Sequence, residues 1–379
     1  MVPGTILTQY MKTSDFSFDL PDNLIAQYPP EQRGNSRLMV LDRKTGIRSH
    51  RMVHELQEIL CGDAFRSHPR AARHPEVTRL PLLVFNNSKV RKARLIGTSV
   101  KTGTRVEFLL LEGIGDQWKV LVQRAKRRKP GSRYVFHDTN DNEIAQAEIV
   151  SPRSPIPDPR SPVTHSLLQF DRLIDDDWLD RYGHIPLPPY IKRQDAPEDA
   201  DRYQTVYASA YGSSAAPTAG LHFTNELLER IAAAGIETAF ITLHVGLGTF
   251  LPVRTENITD HVMHEETFSI DENTAEKIET AKAEGRKVIA VGTTSIRTLE
   301  SAWFDGKLKT GEGRTALYIY PGYRFKAADA LFTNFHTPES TLLMLVAAFA
   351  GREYILESYT EAIRENYRFF SYGDAMLIA

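Results

Sequence analysis

Cysteine is nearly absent: Cys61 is the single one in 379 residues. That excludes an intramolecular disulfide framework and a cysteine-rich zinc site, and it suits a reducing compartment. Long apolar runs are absent too. The longest, Leu342 to Ala350, is far too short to span a bilayer. The opening stretch MVPGTILTQYMK lacks the charged-then-apolar pattern of a secretory signal. Nor does either sign of charge dominate. Lys and Arg number 46 against 48 Asp and Glu, a net charge of -2, so a nucleic-acid site has to be a local patch. A soluble cytoplasmic protein with no membrane segment is expected, and the length suits about two domains.

What is present changes character along the chain. From Leu82 to Val150, short strands such as RVEFLLL, QWKVLV and EIAQAEIV are separated by TGT, EGIGD, KPG and DTNDN. Strands at this spacing without helices predict a small antiparallel sheet or barrel. The proline-rich SPRSPIPDPRSP, residues 151–162, then reads as a linker. After Thr205, helical and strand patterns alternate, which predicts an α/β core with a parallel or mixed sheet. The reading assigns 12–81 and 185–379 to that core and 82–184 to an inserted β-barrel-like domain with its linker. Residues 62–81 carry no periodicity and read as an exposed surface insertion.

Three junctions in the core share a plan, in which a strand or loop ends, polar residues cluster and a helix begins. In AAPTAGLHFT, residues 215–224, the small residues bury little area, so the stretch reads as a loop rather than as core. It holds Thr218 and His222, and Thr224 can cap the helix that follows. In VIAVGTTSIRTLE, Gly292 turns and Thr293 or Thr294 can cap the helix carrying Arg297; free N–H groups there suit a carboxylate or phosphate. In LFTNFHTPES, Asn334 and His336 end a strand, Thr337 can cap, and Pro338 suits the first helical position. A fourth loop, LHVGLGTFLPV, places His244 before Gly246 and Gly248 but lacks the third glycine of a dinucleotide fingerprint, and no helix pattern follows directly. Each threonine alone reads as a plain helix cap; the repetition favours a shared site at the carboxyl ends of the strands. HVMHEE, with His261 and His264, lacks a third local ligand, so no metal is expected.

Charge supplies the other signal. SKVRKAR holds Lys89, Arg91, Lys92 and Arg94; RAKRRKPGSR holds Arg124, Lys126, Arg127, Arg128, Lys129 and Arg133 with no acid among them. Such runs are often solvated faces. Two of them in one β-rich domain suit the backbone of a folded RNA.

Taken together, AAPTAGLHFT, TLHVGLGTF, VGTTSIRTLES, YPGYRFKAADALFTNFHTPESTLLMLVAAFAG and YRFFSYGDAMLI resemble the S-adenosylmethionine:tRNA ribosyltransferase-isomerases of queuosine biosynthesis. SDFSFDLPDNLIAQYPPEQR, HIPLPPYIKR and DRYQTVYA resemble them in the same order, from about Ser14 to Ile378. The resemblance implies an α/β core with an inserted β-barrel-like domain. It implies transfer and isomerisation of the ribosyl part of S-adenosylmethionine onto 7-aminomethyl-7-deazaguanine at the tRNA wobble position. The products would be epoxyqueuosine-tRNA, adenine and methionine, with no cofactor beyond S-adenosylmethionine. A monomer is expected. Departures are the residues before Met11, the 62–81 stretch, a longer 151–166 linker, and Asn87-Ser88-Lys89 where many members show Asp-Thr-Arg.

That reaction needs proton transfers, for which histidine is suited. The candidates are His222, His244 and His336. Thr218, Gly292, Thr293, Thr294, Arg297 and Asn334 are candidate substrate contacts, with Tyr320 and Tyr323 offering ring faces to adenine or a flipped-out base. Lys89, Arg91, Arg94, Arg124, Arg127, Arg128, Arg193, Arg202 and Arg324 are candidate RNA contacts. The alternatives are a non-catalytic RNA-binding protein, which would not need the polar core loops, and a nucleoside or thioether hydrolase, which would not need the basic runs.

Overall fold

The computed structural model describes residues 11–63, 65, 80–122, 128–151, 165–246 and 253–379. Two compact units are present. One comprises Met1–Lys89, Pro188–Arg193 and Asp201–Ala379; the other comprises Val90–Leu187 and Gln194–Ala200.

The first unit is built on a nine-stranded mixed sheet. From one edge its order is Gly311–Thr315, Glu266–Ile270, Glu237–Leu243, Leu82–Asn86, Val288–Val291, Ala330–Asn334, Ala375–Ile378, Arg37–Leu41 and Arg48–Met52. The four strands from Glu237–Leu243 to Ala330–Asn334 run parallel, so their carboxyl ends share one edge of the sheet. Continuous burial of LLVFN, VIAV and ALFTN fits strands covered on both faces.

Side-chain alternation sorts these strands into two apolar layers. Leu82, Val84, Val288, Ala290, Met376 and Ile378 face one layer, and Leu83, Phe85, Ile289, Val291, Ala375 and Leu377 face the other. Helices Glu272–Ala283, Thr293–Ala302, Thr341–Ala350 and Arg352–Arg364 cover the first through Ile278, Ile296, Leu343 and Tyr359. Helices Leu56–Leu60 and Asn225–Ala233 cover the second through Leu60, Leu227 and Ile231.

The second unit is a closed antiparallel barrel ordered Ser166–Phe170, Gln117–Val122, Arg105–Ile114, Arg94–Ser99, Arg133–His137 and Glu143–Val150. Its strands alternate buried and half-exposed residues, as one filled interior requires. Gly97 has a packing reason: a Cβ there would lie 2.9 Å from the Phe136 ring.

Three readings of the sequence change. The strand Leu82–Asn86, expected in the inserted domain, sits in the middle of the core sheet. Its two-sided apolar pattern demands cover on both faces, and a small barrel covers only one. The strand Ser166–Phe170 closes the barrel after the proline-rich stretch, where no strand was expected. Phe65, placed in an exposed insertion, is buried in the second apolar layer with the Lys287 ammonium 5.3 Å from its ring centroid. Of that stretch, residues 64 and 66–79 lie outside the described residues.

Candidate active site

The parallel strands bring the predicted loops to one edge. AAPTAGLHFT is not the open loop that its small residues suggested, since Ala215, Ala216, Ala219, Gly220, His222 and Phe223 are all buried. The residues are small because other groups pass close. A Cβ on Gly220 would lie 2.1 Å from the Tyr207 hydroxyl, and one on Gly292 would lie 3.5 Å from Ala219 Cβ. The His222 loop and the Gly292 turn therefore pack on each other. Thr224 caps the next helix as expected, accepting from Leu227 N at 3.1 Å.

His222 is 3% exposed. Its Nδ1 is 2.9 Å from Ser36 Oγ and its Nε2 is 3.1 Å from Asn334 Nδ2. Asn334 Nδ2 also donates to the Phe370 carbonyl at 3.0 Å. That carbonyl fixes the amide orientation, because the amide oxygen would be repelled there. His222 Nε2 is accordingly the acceptor, and Nδ1–H donates to Ser36. Burial, helped by the charges of Arg33 and Arg368, pushes the His222 pKa down to about 4, so the ring is neutral.

His336 lies two residues along the chain from Asn334 and is also buried, its pKa pushed down to about 3 by burial. Its Nε2 is 3.0 Å from Thr333 Oγ1, and its Nδ1 has no hydrogen-bond partner among the described residues. The ring lines a cleft with Tyr190, Thr218, Asn334, Thr337 and Ser371. Thr337 does not cap the next helix. Ser340 does, accepting from Leu343 N at 3.2 Å, because Glu339 at φ 55° breaks the chain direction first. The short turn this creates leaves His336 and Thr337 on the cleft. A second cleft, lined by Pro29, Arg33, Ser36, Arg202, His222 and Ser371, meets the first at Ser371.

At the third junction Gly292, at φ 93°, is itself the N-cap of Thr293–Ala302, and no side chain caps that helix. Thr294 Oγ1 is buried without a partner. Arg297 is committed elsewhere than expected. It forms a buried ion pair with Glu266, whose other oxygen accepts from Gly246 N at 2.9 Å, while Arg297 Nη2 stays buried without a partner.

Other predicted residues lie apart from this geometry. His244 follows its strand directly, with its ring against Gly212, and its backbone N–H donates to Thr267 O at 3.0 Å. Residues 247–252, including Gly248, are outside the described set. Tyr323 donates to Glu300 at 3.2 Å and packs on Phe325; Tyr320 packs on Tyr318, whose other neighbour is His261. The Tyr320 and Tyr323 rings are both half-buried. No group of three or more His, Cys, Asp or Glu suited to a metal occurs among the described residues.

The first basic run is engaged within its own units. Lys89 donates to Tyr211 at 2.6 Å, Arg91 pairs with Asp176 at 2.5 Å, Lys92 donates to the Asp180 carbonyl at 2.7 Å, and Arg94 bridges Asp195 and Glu107. In the second run Arg124, Lys126 and Arg127 lie outside the described residues. Arg128 is half-buried, and Arg133 pairs with Glu148 at 2.9 Å. Arg324 is exposed; Arg193 and Arg202 donate to the carbonyls of Gln27 and Pro30.

Ser36, Ser371, Tyr190 and Arg33 belong to the two clefts but did not emerge from the sequence as site residues. Their only signal was position inside QYPPEQRGNS, LPPYIKR and FFSYGD, the unusual stretches at either end of the core.

A family model described as "Queuosine biosynthesis protein" matches residues 13–378. The chain is 53% identical over 376 residues to an S-adenosylmethionine:tRNA ribosyltransferase-isomerase of Treponema denticola, covering 97% of this chain and all of that one. It is 47% identical over 370 residues to the protein of the same name from Acetivibrio thermocellus, with the same coverage. The crystal structure of S-adenosylmethionine tRNA ribosyltransferase from Thermotoga maritima is similar at 35% identity and a TM-score of 0.52, over 97% of this chain and all of that one. No helix among the described residues is long and apolar enough to cross a membrane. With a match across nearly its whole length, and with the mixed-sheet core and closed barrel described above, the chain belongs to the queuosine biosynthesis protein family.

Proposed function

We infer that the chain is an S-adenosylmethionine:tRNA ribosyltransferase-isomerase. It moves the ribosyl group of S-adenosylmethionine onto 7-aminomethyl-7-deazaguanine in tRNA, giving epoxyqueuosine-tRNA, adenine and methionine. The observation that carries this reading is the meeting of the three core loops, with Asn334 bonded to His222 and Gly292 packed on Ala219, in a chain of this family.

The sulfonium acidifies the adjacent ribose carbon. A base removes that proton, the ylide collapses with opening of the sugar ring and loss of adenine, and the RNA aminomethyl nitrogen bonds to the carbon that held adenine, giving up its proton. The ring then recloses through carbon, and the former ring oxygen displaces methionine from the carbon that bore sulfur to form the epoxide. His336 suits the proton acceptor by position, since it lines the cleft and its Nδ1 has no hydrogen-bond partner among the described residues; the burial that lowers its pKa to about 3 works against its basicity. His222 suits a positioning role, since both ring nitrogens are taken by Ser36 and Asn334 and the ring ties the loop to the strand end; it reaches substrate only if one of those bonds is exchanged. The uncapped helix start at Gly292, with Thr293 and the unpartnered Thr294 hydroxyl, suits the methionine carboxylate. Arg297 supports that turn through Glu266 rather than by holding the carboxylate alone. The enzyme acts as a cytoplasmic monomer and needs no cofactor beyond S-adenosylmethionine.

The test is release of adenine and methionine from S-adenosylmethionine with and without tRNA bearing the aminomethyl base. Release is expected only with that tRNA. Equal release without RNA would establish a hydrolase instead.

A further inference from the structure

Tyr28 is a large ring left 61% exposed in the turn Gln27–Arg33. A single exposed aromatic is ordinary on a protein surface. Its surroundings are not. Three arginines from distant parts of the chain converge on this turn. Arg193 donates to the Gln27 carbonyl at 2.9 Å, Arg368 to the Tyr28 carbonyl, and Arg202 to the carbonyls of Pro30 and Glu31. The Arg193 guanidinium also lies 4.3 Å over the Tyr28 ring centroid. A fourth, Arg33, belongs to the turn itself and donates to the carbonyls of Gln204 and Asp201 at 2.7 and 2.8 Å.

Bonds to carbonyls position a guanidinium but leave its positive charge in place, and they use only part of its five donors. The acids facing the group are Asp201, 3.6 Å from Arg33 and itself exposed, the exposed Glu31, and Asp374, whose charge acts on Arg368. The turn also forms a wall of the His222 cleft, through Pro29, Pro30 and Arg33. A partly open aromatic ring, with one arginine on its face and three more bonded to carbonyls in or beside its turn, next to the candidate active site has the make-up of a single-strand nucleic-acid platform. Bases stack on the ring and phosphates meet the cations.

We propose that Tyr28 stacks an unpaired nucleobase of the RNA substrate next to the one being modified, with Arg202 and Arg368 holding the adjoining backbone. Arg193 occupies one face of the ring, so the base takes the remaining exposed surface. This rests on the reading above that the enzyme acts on tRNA. It adds to the half-buried Tyr320 and Tyr323 a far more exposed ring.

The experiment uses the full-length enzyme and an anticodon stem-loop RNA carrying the aminomethyl base at the wobble position and 2-aminopurine beside it. Wild type, Tyr28→Leu and Tyr28→Trp are compared. Tyr28→Leu is expected to weaken RNA binding by about 10-fold or more, on the scale of one lost base–aromatic stack. It is also expected to lose the 2-aminopurine quenching seen with wild type, while Tyr28→Trp restores both. Affinity for S-adenosylmethionine and the thermal midpoint stay as in wild type. Tyr28→Leu that binds the RNA as tightly as wild type and quenches equally overturns the platform while leaving the tRNA reading intact. A wild-type enzyme that neither binds nor modifies the stem-loop removes that reading and the platform with it.

Discussion

Asn334 Nδ2 lies 3.1 Å from His222 Nε2 while the same nitrogen donates to the Phe370 carbonyl at 3.0 Å, so one buried amide ties the tautomer of a histidine to the C-terminal segment of the chain. The contact spans 112 residues, from the loop before one helix to the end of a strand.

Acid should destabilise the protein through these rings. His222 and His336 hold folded pKa values of about 4 and about 3, below the ordinary 6.5, so the unfolded chain binds protons first. Stability present above about pH 6.5 is lost as the pH falls toward 4, by up to about 1.4 kcal/mol per pH unit for each ring. Urea midpoints between pH 7 and 4.5 measure this. A His222→Gln variant should show a shallower dependence, and an identical one would mean that His222 is not neutral in the fold.

His336→Gln should lower the single-turnover rate by roughly 10²-fold, the usual scale for losing a general base. Binding of S-adenosylmethionine should change little. Adenine release at the wild-type rate would remove His336 from the chemistry and leave His222 as the candidate, to be tested in the same assay with His222→Ala.

Thr294→Val separates binding from folding. The Thr294 hydroxyl is buried and unpartnered, so replacing it with a methyl should leave stability unchanged or raise it by up to about 1 kcal/mol. The same change should raise the KM for S-adenosylmethionine if that hydroxyl meets the methionine carboxylate. An unchanged KM would place the carboxylate elsewhere.

The two basic runs should behave differently. Arg94 is nearly buried between Asp195 and Glu107, so Arg94→Gln should cost roughly 3 kcal/mol of stability and leave the salt dependence of tRNA binding alone. Arg127→Gln with Arg128→Gln should make the log–log salt slope shallower by about 1.5 to 2, as two lost phosphate contacts would. An unchanged slope in the double variant would retire that run as a contact.

The sequence by itself determined the α/β class of the core, the β-rich insert and the polar loops. Period-two patterns in QWKVLV and continuous burial patterns in VIAV and ALFTN are local consequences of one covered face or two. They are therefore written in the residues themselves. Gly292, Asn334 and His336 were visible for the same reason, as polar punctuation at strand ends. Partnership was decided by the tertiary structure. Whether Thr337 or Ser340 caps, whether Arg297 faces a ligand or Glu266, and whether Lys89 to Arg94 face solvent or their own domain depend on groups remote in sequence. The small residues of AAPTAGLHFT misled for the same reason: their size answers to Tyr207 and Gly292, and no local pattern records what another part of the chain will press against them.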